Sequence, residues 1–160
     1  MFSVSLGGFD IHDFQNRNQG DLLARIAHAM RYLDTALGSI NPRNGVTTFT
    51  ASDFGRTFTS NGDGTNHGWG SHQFAMGGAV KGGDLFGRFP TLVVKVANKN
   101  TFDGSADQFG NGALLPGTSV GQLGATLGAW FGLAPTQVAE IFPNLNNFNA
   151  SSRNLGFMLA

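Results

Sequence analysis

Two glycine-rich segments of this sequence carry the side-chain types that bind metal ions and anions. Asp10 and His12 are two residues apart in the first segment, and Asp53, Arg56 and His67 follow one another in the second. Carboxylate oxygens and imidazole nitrogens bind zinc, manganese, magnesium or calcium to different degrees, and a mixed set does not select among these metals. The residue types therefore indicate a divalent-metal site without naming its metal.

Each of these groups also has a simpler interpretation. Asp10 can cap a turn while His12 lies on the surface, and the spacing alone does not decide between a turn and a metal site. The guanidinium of Arg56 and the hydroxyl of Thr57 can together hold a phosphate or sulfate group. An ion pair between Arg56 and Asp53 that braces the loop is the alternative, and both alternatives stay open at this point.

Two predicted strands and one predicted helix must position these side chains. Alternating apolar residues predict a first strand that begins at residue 2 and ends at Asp10 and His12. Helical spacing of apolar residues predicts a helix between Asp21 and Gly38, and a β-branched run predicts a second strand over residues 46–50. The order strand, helix, strand implies a right-handed crossover and a parallel pair. The side chains that follow the two strands should therefore meet at one edge of the sheet.

The remainder of the chain predicts one more strand and two more helices. The strand covers Leu92 to Val96. Thr118 or Ser119 can cap a helix that continues to Phe131, and Pro135 is placed to open a short helix that ends before Pro143. Together these elements predict a single α/β domain over residues 1–160 that contains a parallel pair of strands.

The composition excludes several classes of function. The 160 residues carry a formal net charge of +0 with 12% charged residues, so there is no basic surface for nucleic acid. The chain contains no cysteine, which excludes disulfides and thiolate metal sites. No apolar run reaches the ~18 residues that a membrane span needs. The glycine segments do not match a dinucleotide-binding motif or a phosphate-binding loop, which disfavours nucleotide cofactors.

Four stretches of the sequence, taken in order, resemble the C-terminal half of the domain of unknown function 1501 family, a bacterial family placed in the alkaline phosphatase and sulfatase superfamily. These stretches are LGGFDIH, TTFTASDFGRTFTSNGDGTNHGWGSHQFAMGGAVKGGDLFGRFP, LLPGTSVGQLGATLGAWFGL and IFPNLNNF. The resemblance implies a three-layer α/β/α fold with a mostly parallel sheet, of which this chain would be an alkaline-phosphatase-like half domain. It also implies cleavage of phosphate or sulfate esters at one or two metal ions beside a Ser or Thr nucleophile.

The resemblance also implies roles for single residues. Asp10, His12 and His67 look like the ligands of one metal ion, and Asp53 looks like the aspartate of a second site. The superfamily commonly has histidine after that aspartate, where this sequence has Phe54. The superfamily's nucleophile lies in the N-terminal half, so the resemblance assigns no catalytic nucleophile to this chain.

Two hypotheses of different classes follow. The first is a truncated or non-catalytic remnant that self-associates or pairs with a partner chain that covers the missing half. Phe54 and the strand-like start MFSVSLGG motivate it. The alternative is a metal-dependent hydrolase of phosphate or sulfate esters. Family members often carry a twin-arginine export signal, which implies a periplasmic location, although MFSVSLGG lacks the features of a signal peptide.

Overall fold

A computed structural model of the chain describes residues 1–93 and 104–159. The helices are α1 (Gln15–Ile40), α2 (Val120–Trp130) and α3 (Pro135–Ile141), with short 3-10 turns at Arg43–Gly45, Pro143–Asn147 and Ala150–Ser152. The strands are β1 (Thr47–Phe49), β2 (Gly55–Ser60), β3 (Thr65–Gly68), β4 (Ala75–Gly77), β5 (Gln108–Phe109) and β6 (Ala113–Leu114). Of these helices, none combines the length and the apolar character that crossing a membrane requires.

The strands form three separate two-stranded sheets in the described part of the chain, and all three pairs are antiparallel. Strand β1 pairs with β4, β2 with β3, and β5 with β6. The predicted three-layer α/β/α fold with a mostly parallel sheet is therefore wrong. For β2–β3 and β5–β6 the physical reason is the short turn between the strands, which permits a hairpin but not the long crossover that a parallel pair needs.

The predicted first strand is also absent, since residues 1–12 contain no strand. Phe2 and Val4 are fully exposed, at 100% and 96%, because no described strand pairs with them. Strand β1 has taken an antiparallel partner instead, with Thr47 opposite Gly77. A Cβ atom on Gly77 would lie 2.4 Å from the carbonyl oxygen of Val46, so this close pairing needs glycine. The predicted strand at Leu92 to Val96 extends into residues outside the described range.

The helix predictions are confirmed. Helix α1 covers the predicted segment but begins at Gln15 rather than Asp21. Its first turn gains a hydrogen bond from Gln15 Nε2 to Gln19 Oε1 (2.7 Å), so the polar residues before Asp21 continue the helix. Ser119 caps α2, and α3 opens at Pro135 and ends before Pro143, as the sequence predicts.

The described residues divide into two compact units. The first unit contains Met1–Ile40, Ala51–His72 and Pro90–Leu115. Within it, the β2–β3 hairpin is joined to the start of α1 by a bond from the amide of Gln15 to the carbonyl of Asp63 (3.1 Å) and one from Thr65 Oγ1 to Gln15 Oε1 (2.7 Å). Residues 9–14, which enter the helix, are therefore held against the hairpin.

The second unit contains Asn41–Thr50, Gln73–Phe89 and Pro116–Ala160. Helix α2 opens with a capping box: Ser119 Oγ accepts from the amide of Gln122 (3.1 Å), and Gln122 Oε1 accepts from the amide of Ser119 (2.9 Å). Thr126 is 1% exposed and links α2 to the C-terminal segment, because its hydroxyl accepts from the amide of Leu155 (2.8 Å).

Replacing Ser119 by alanine should lower the free energy of unfolding by about 1 kcal/mol, because the cap bond to the Gln122 amide is lost. Urea denaturation followed by circular dichroism measures this change. Ser151→Ala is the matched control, since Ser151 is exposed in the same unit. Equal stability of the Ser119→Ala variant and the wild type would show that the cap contributes nothing.

Candidate metal centre

Asp10, His12 and His67 bring one ligand atom each to a common point, with all three atoms within 4.8 Å of one another. Asp10 Oδ1 lies 2.7 Å from His67 Nε2 and 3.0 Å from His12 Nε2. An ionised carboxylate only accepts hydrogen bonds, so both imidazoles donate to the same oxygen. The structure thus brings together three of the four predicted ligands, although Asp10 and His67 are 57 residues apart on the chain.

The hairpin of β2 and β3 positions two of these three residues. His67 lies on β3 opposite Arg56 of β2. The turn between the strands holds the His12 segment, because Asn61 Nδ2 donates to the carbonyl of His12 (3.1 Å). Gly64 in that turn also lies against the His12 backbone, since a Cβ atom placed on Gly64 would lie 2.1 Å from the same carbonyl oxygen. Only glycine permits the backbone of residue 12 to approach the turn this closely.

The rings of His12 and Phe54 both stack with the ring of His67. Its ring lies 5.0 Å from that of His12, with 23° between the planes, and 4.0 Å from that of Phe54, with 13° between the planes. The guanidinium carbon of Arg56 lies 5.2 Å from the centre of the Phe54 ring. Phe54 cannot ligate a metal ion, but it contacts a residue that can. The orientation of the His67 ring is thereby restricted on the side of Phe54.

The guanidinium of Arg56 is half-buried and bonded to the backbone. Its two terminal nitrogens donate to the carbonyls of Phe9 and Thr65. Burial lowers the pKa of Arg56, and the negative charge of Asp10 acts in the opposite direction. Arg56 remains charged at neutral pH, because an arginine titrates far above it.

The donor set fits a divalent ion. Four ligands at 2.0–2.1 Å around zinc in a tetrahedron are about 3.3 Å apart, and the two distances from Asp10 Oδ1 are a few tenths of an ångström shorter. To bind an ion, the imidazoles would have to move slightly away from Asp10 Oδ1 and give up the Nε2 protons that they donate to it. The side chains of Asp10, His12 and His67 are 68%, 46% and 42% exposed, so the position is open to solvent. Three protein ligands would leave a place for water or a substrate oxygen.

The Asp10 carboxyl should titrate below its ordinary value in the metal-free protein. The hydrogen bond from His67 lowers the pKa of Asp10 from 3.8, and burial acts in the opposite direction. Electrostatic attraction to both imidazoles and the hydrogen bond from His12 lower the pKa further. A lowered carboxyl pKa contributes stability that is complete above the unfolded-state pKa and is lost as the pH falls through the folded-state pKa. Stability should therefore fall on acidification below about pH 4.

Carbon-detected NMR of the side-chain carboxyl groups measures this titration directly. The midpoint of Asp10 should lie below 3.8 in the wild type and should rise in the His67→Ala variant. Asp21 on α1 lies outside the three-residue cluster and provides a reference carboxyl in the same unit. A midpoint for Asp10 that His67→Ala leaves unchanged would contradict the prediction.

The other predicted site residues lie outside this cluster. Asp53 is exposed and is not part of any group of three potential ligands found in residues 1–93 and 104–159. Thr57 is 5% exposed, and its hydroxyl donates to the carbonyl of Thr59 (3.1 Å) and accepts from the amide of Asn66 (3.2 Å). The anion-binding roles of Arg56 and Thr57 and the metal-binding role of Asp53 stay predictions.

Sequence reasoning missed the residues that hold the ligands in place. Asn61 and Gly64 belong to the turn NGDG between two β-rich runs, which is a recognisable hairpin signal. Reading that signal would have placed His67 on a return strand beside β2. The bond from Arg56 to the carbonyl of Phe9 joins residues 47 apart, and no local pattern indicates it.

Comparison with known proteins gives a family and no further relatives. Residues 1–142 match the family described as "Protein of unknown function (DUF1501)". Searches of curated proteins and of solved structures gave no match. The match extends over most of the 160 residues and confirms the family resemblance of the motifs. The chain therefore belongs to the DUF1501 family of proteins of unknown function.

Proposed function

We propose that this chain binds a divalent metal ion through Asp10, His12 and His67. The observation that carries the proposal is the convergence of three ligand atoms within 4.8 Å from two distant segments. Mixed imidazole and carboxylate ligands suit zinc and manganese well, whereas magnesium and calcium prefer oxygen alone. The resemblance to the alkaline phosphatase and sulfatase superfamily, in which similar residues bind metal, is part of the proposal.

Elemental analysis of the purified chain tests the proposal first. We expect close to one equivalent of zinc or manganese per chain after purification without chelator, and rebinding of zinc after dialysis against EDTA. Isothermal titration calorimetry of the stripped protein with zinc chloride then gives the stoichiometry and affinity. A stripped protein that takes up no zinc, manganese, magnesium or calcium would refute the proposed function.

We further propose that the chain works as a non-catalytic module that associates with a second copy of itself. The supporting observation is the large number of exposed apolar side chains, which would need covering in a stable soluble protein. In the first unit these exposed side chains include Met1, Phe2, Val4, Leu6, Phe14, Leu23, Tyr32, Leu33 and Ile40.

Sedimentation velocity across a range of concentrations tests self-association. We expect a dimer or larger species, and a shift toward monomer in the double variant Phe2→Ser, Val4→Ser. The double variant Ser3→Ala, Ser5→Ala is the matched control, because it changes the alternate positions of the same segment. A wild-type chain that stays monomeric at all concentrations would refute self-association and leave a different partner chain as the occupant of the apolar surface.

Hydrolysis of phosphate or sulfate esters is the second candidate function. The exposure of all three ligand side chains favours it, because an ester oxygen could reach a bound ion. A divalent ion in this position would polarise that oxygen and lower the pKa of a bound water. The resemblance implies that Asp53 belongs to a second metal site, so its replacement by alanine is expected to abolish hydrolysis.

Release of nitrophenol from p-nitrophenyl phosphate and p-nitrophenyl sulfate by the zinc- and manganese-loaded chain tests this function. Free metal ion at the same concentration and the Asp53→Ala variant are the controls. A rate equal to that of free metal ion would leave the non-catalytic module as the function of the chain.

A further inference from the structure

We infer that Arg56 is a positioning residue that ties together the two segments carrying Asp10 and His67. The inference deepens the proposed function and rests on it, since it concerns how the same three-residue cluster is held. It assigns to the guanidinium a role in the geometry of the ligands, which is distinct from the binding of an anion.

The two carbonyls that accept from Arg56 define this role. One belongs to Phe9, the residue directly before Asp10. The other belongs to Thr65, two residues before His67 on β3, at 2.9 Å from the guanidinium. The two terminal nitrogens of a guanidinium lie in one rigid plane, so acceptors bonded to both are held at a fixed separation. Arg56 therefore links the backbone that carries the carboxylate ligand to the backbone that carries an imidazole ligand.

Phe54 extends this link to the imidazole ring itself. The Phe54 ring is nearly parallel to that of His67 and also lies close to the guanidinium of Arg56. Stacking on one side and a cation–π contact on the other place the Phe54 ring in contact with both His67 and Arg56. Arg56 thus acts on His67 in two ways, through the β3 backbone and through the Phe54 ring.

The two backbone bonds also limit how Arg56 could hold an anion. The two backbone bonds use two of the five N–H groups of the guanidinium, so an anion would have to bind through the remaining three.

Zinc affinity of three variants tests the inference in the full chain. Arg56→Met keeps the bulk of the side chain and removes both backbone bonds, and we expect zinc affinity to fall about 10–100-fold, as is typical when a supporting residue behind the ligands is lost. Arg56→Lys keeps the charge and a donor and should restore part of that loss. Arg25→Met is the matched control on α1, because Arg25 is exposed in the same unit. Unchanged zinc affinity in Arg56→Met would overturn the inference.

NMR of the metal-free protein separates this inference from the proposed function. The ring-proton shifts of His67 should move in Arg56→Met and in Phe54→Leu, because the stack on Phe54 is altered, and should not move in Arg25→Met. If the wild type binds no zinc, the proposed function fails, while moved His67 shifts still support the positioning role. If the His67 shifts are unchanged in Arg56→Met, the positioning role fails whatever the zinc result.

A titration with inorganic phosphate completes the test. Weaker phosphate binding in Arg56→Met with unchanged zinc affinity and unchanged His67 shifts would assign Arg56 to the anion and overturn the inference. Thermal melting of each variant identifies any loss of fold. If Arg56→Met does not fold, Arg56→Lys decides, since its weaker zinc binding with a wild-type melting temperature supports the positioning role and unchanged binding refutes it.

Discussion

Replacing His67 by alanine is expected to weaken zinc binding by at least about 100-fold. A residue that ligates the ion directly contributes more to metal affinity than a residue that only hydrogen-bonds to a ligand. His67 Nε2 is the ligand atom closest to Asp10 Oδ1, at 2.7 Å. Its loss leaves Asp10 and His12, which are only two residues apart and form a weak bidentate pair. Calorimetric titration of the metal-free variant with zinc measures the effect.

His28→Ala is the control for this experiment, because His28 is an exposed histidine on α1 in the same unit and lies outside the cluster. Asp10→Asn should also weaken binding, since it removes the charge while keeping the shape of the side chain. Zinc binding that falls equally in His28→Ala and His67→Ala would mean that the ion binds nonspecifically to exposed imidazoles.

Replacing Gly64 by alanine is expected to have the second largest effect on the site. The added Cβ atom would lie 2.1 Å from the carbonyl oxygen of His12 and 2.7 Å from its carbonyl carbon. These are backbone atoms, which cannot rotate away as the end of a side chain can. The segment carrying Asp10 and His12 must therefore move away from the hairpin. We expect a loss of about 1–3 kcal/mol in the free energy of unfolding and weaker zinc binding.

Urea denaturation and zinc titration of the same Gly64→Ala preparation measure both effects. Gly20→Ala is the control, because Gly20 lies inside α1 with open space around it. Alanine there should stabilise the chain by about 0.5–1 kcal/mol through better helix formation and leave zinc affinity unchanged. A Gly64→Ala variant with wild-type affinity would show that the close contact at His12 does not determine the site.

The helices could be predicted from the sequence because their signals are local. Ser119 and Gln122 are three residues apart and form the capping box by themselves. Pro135 begins α3 because its ring fixes a helical φ angle and lacks an N–H group that the first turn would leave unpaired. The pairing of β1 could not be predicted in this way. Its three residues offer no preference between a parallel and an antiparallel neighbour, and the choice depends on the distant residue Gly77, which lies opposite Thr47.

The candidate site was partly predictable for a related reason. Residue type and resemblance indicate Asp10, His12 and His67, and the structure brings them together. The predicted parallel sheet edge, which would place Asp10 and His12 beside Asp53, is wrong. An antiparallel hairpin instead returns the chain and places His67 beside Asp10. A side chain that can ligate a metal is recognised from its residue type even when the predicted fold is wrong. Its neighbours in space can be predicted only if the strand order is right.

The oxygen that Asp10 shares between two imidazoles bears on how the proposed metal site would behave without its ion. Each imidazole already has a hydrogen-bond acceptor in Asp10 Oδ1. Zinc fingers differ, since their ligands find partners only in the ion and the domain unfolds without it. In the proposed site, hydrogen bonds already hold both imidazoles near the carboxylate, so we expect the chain to keep its fold when metal is removed.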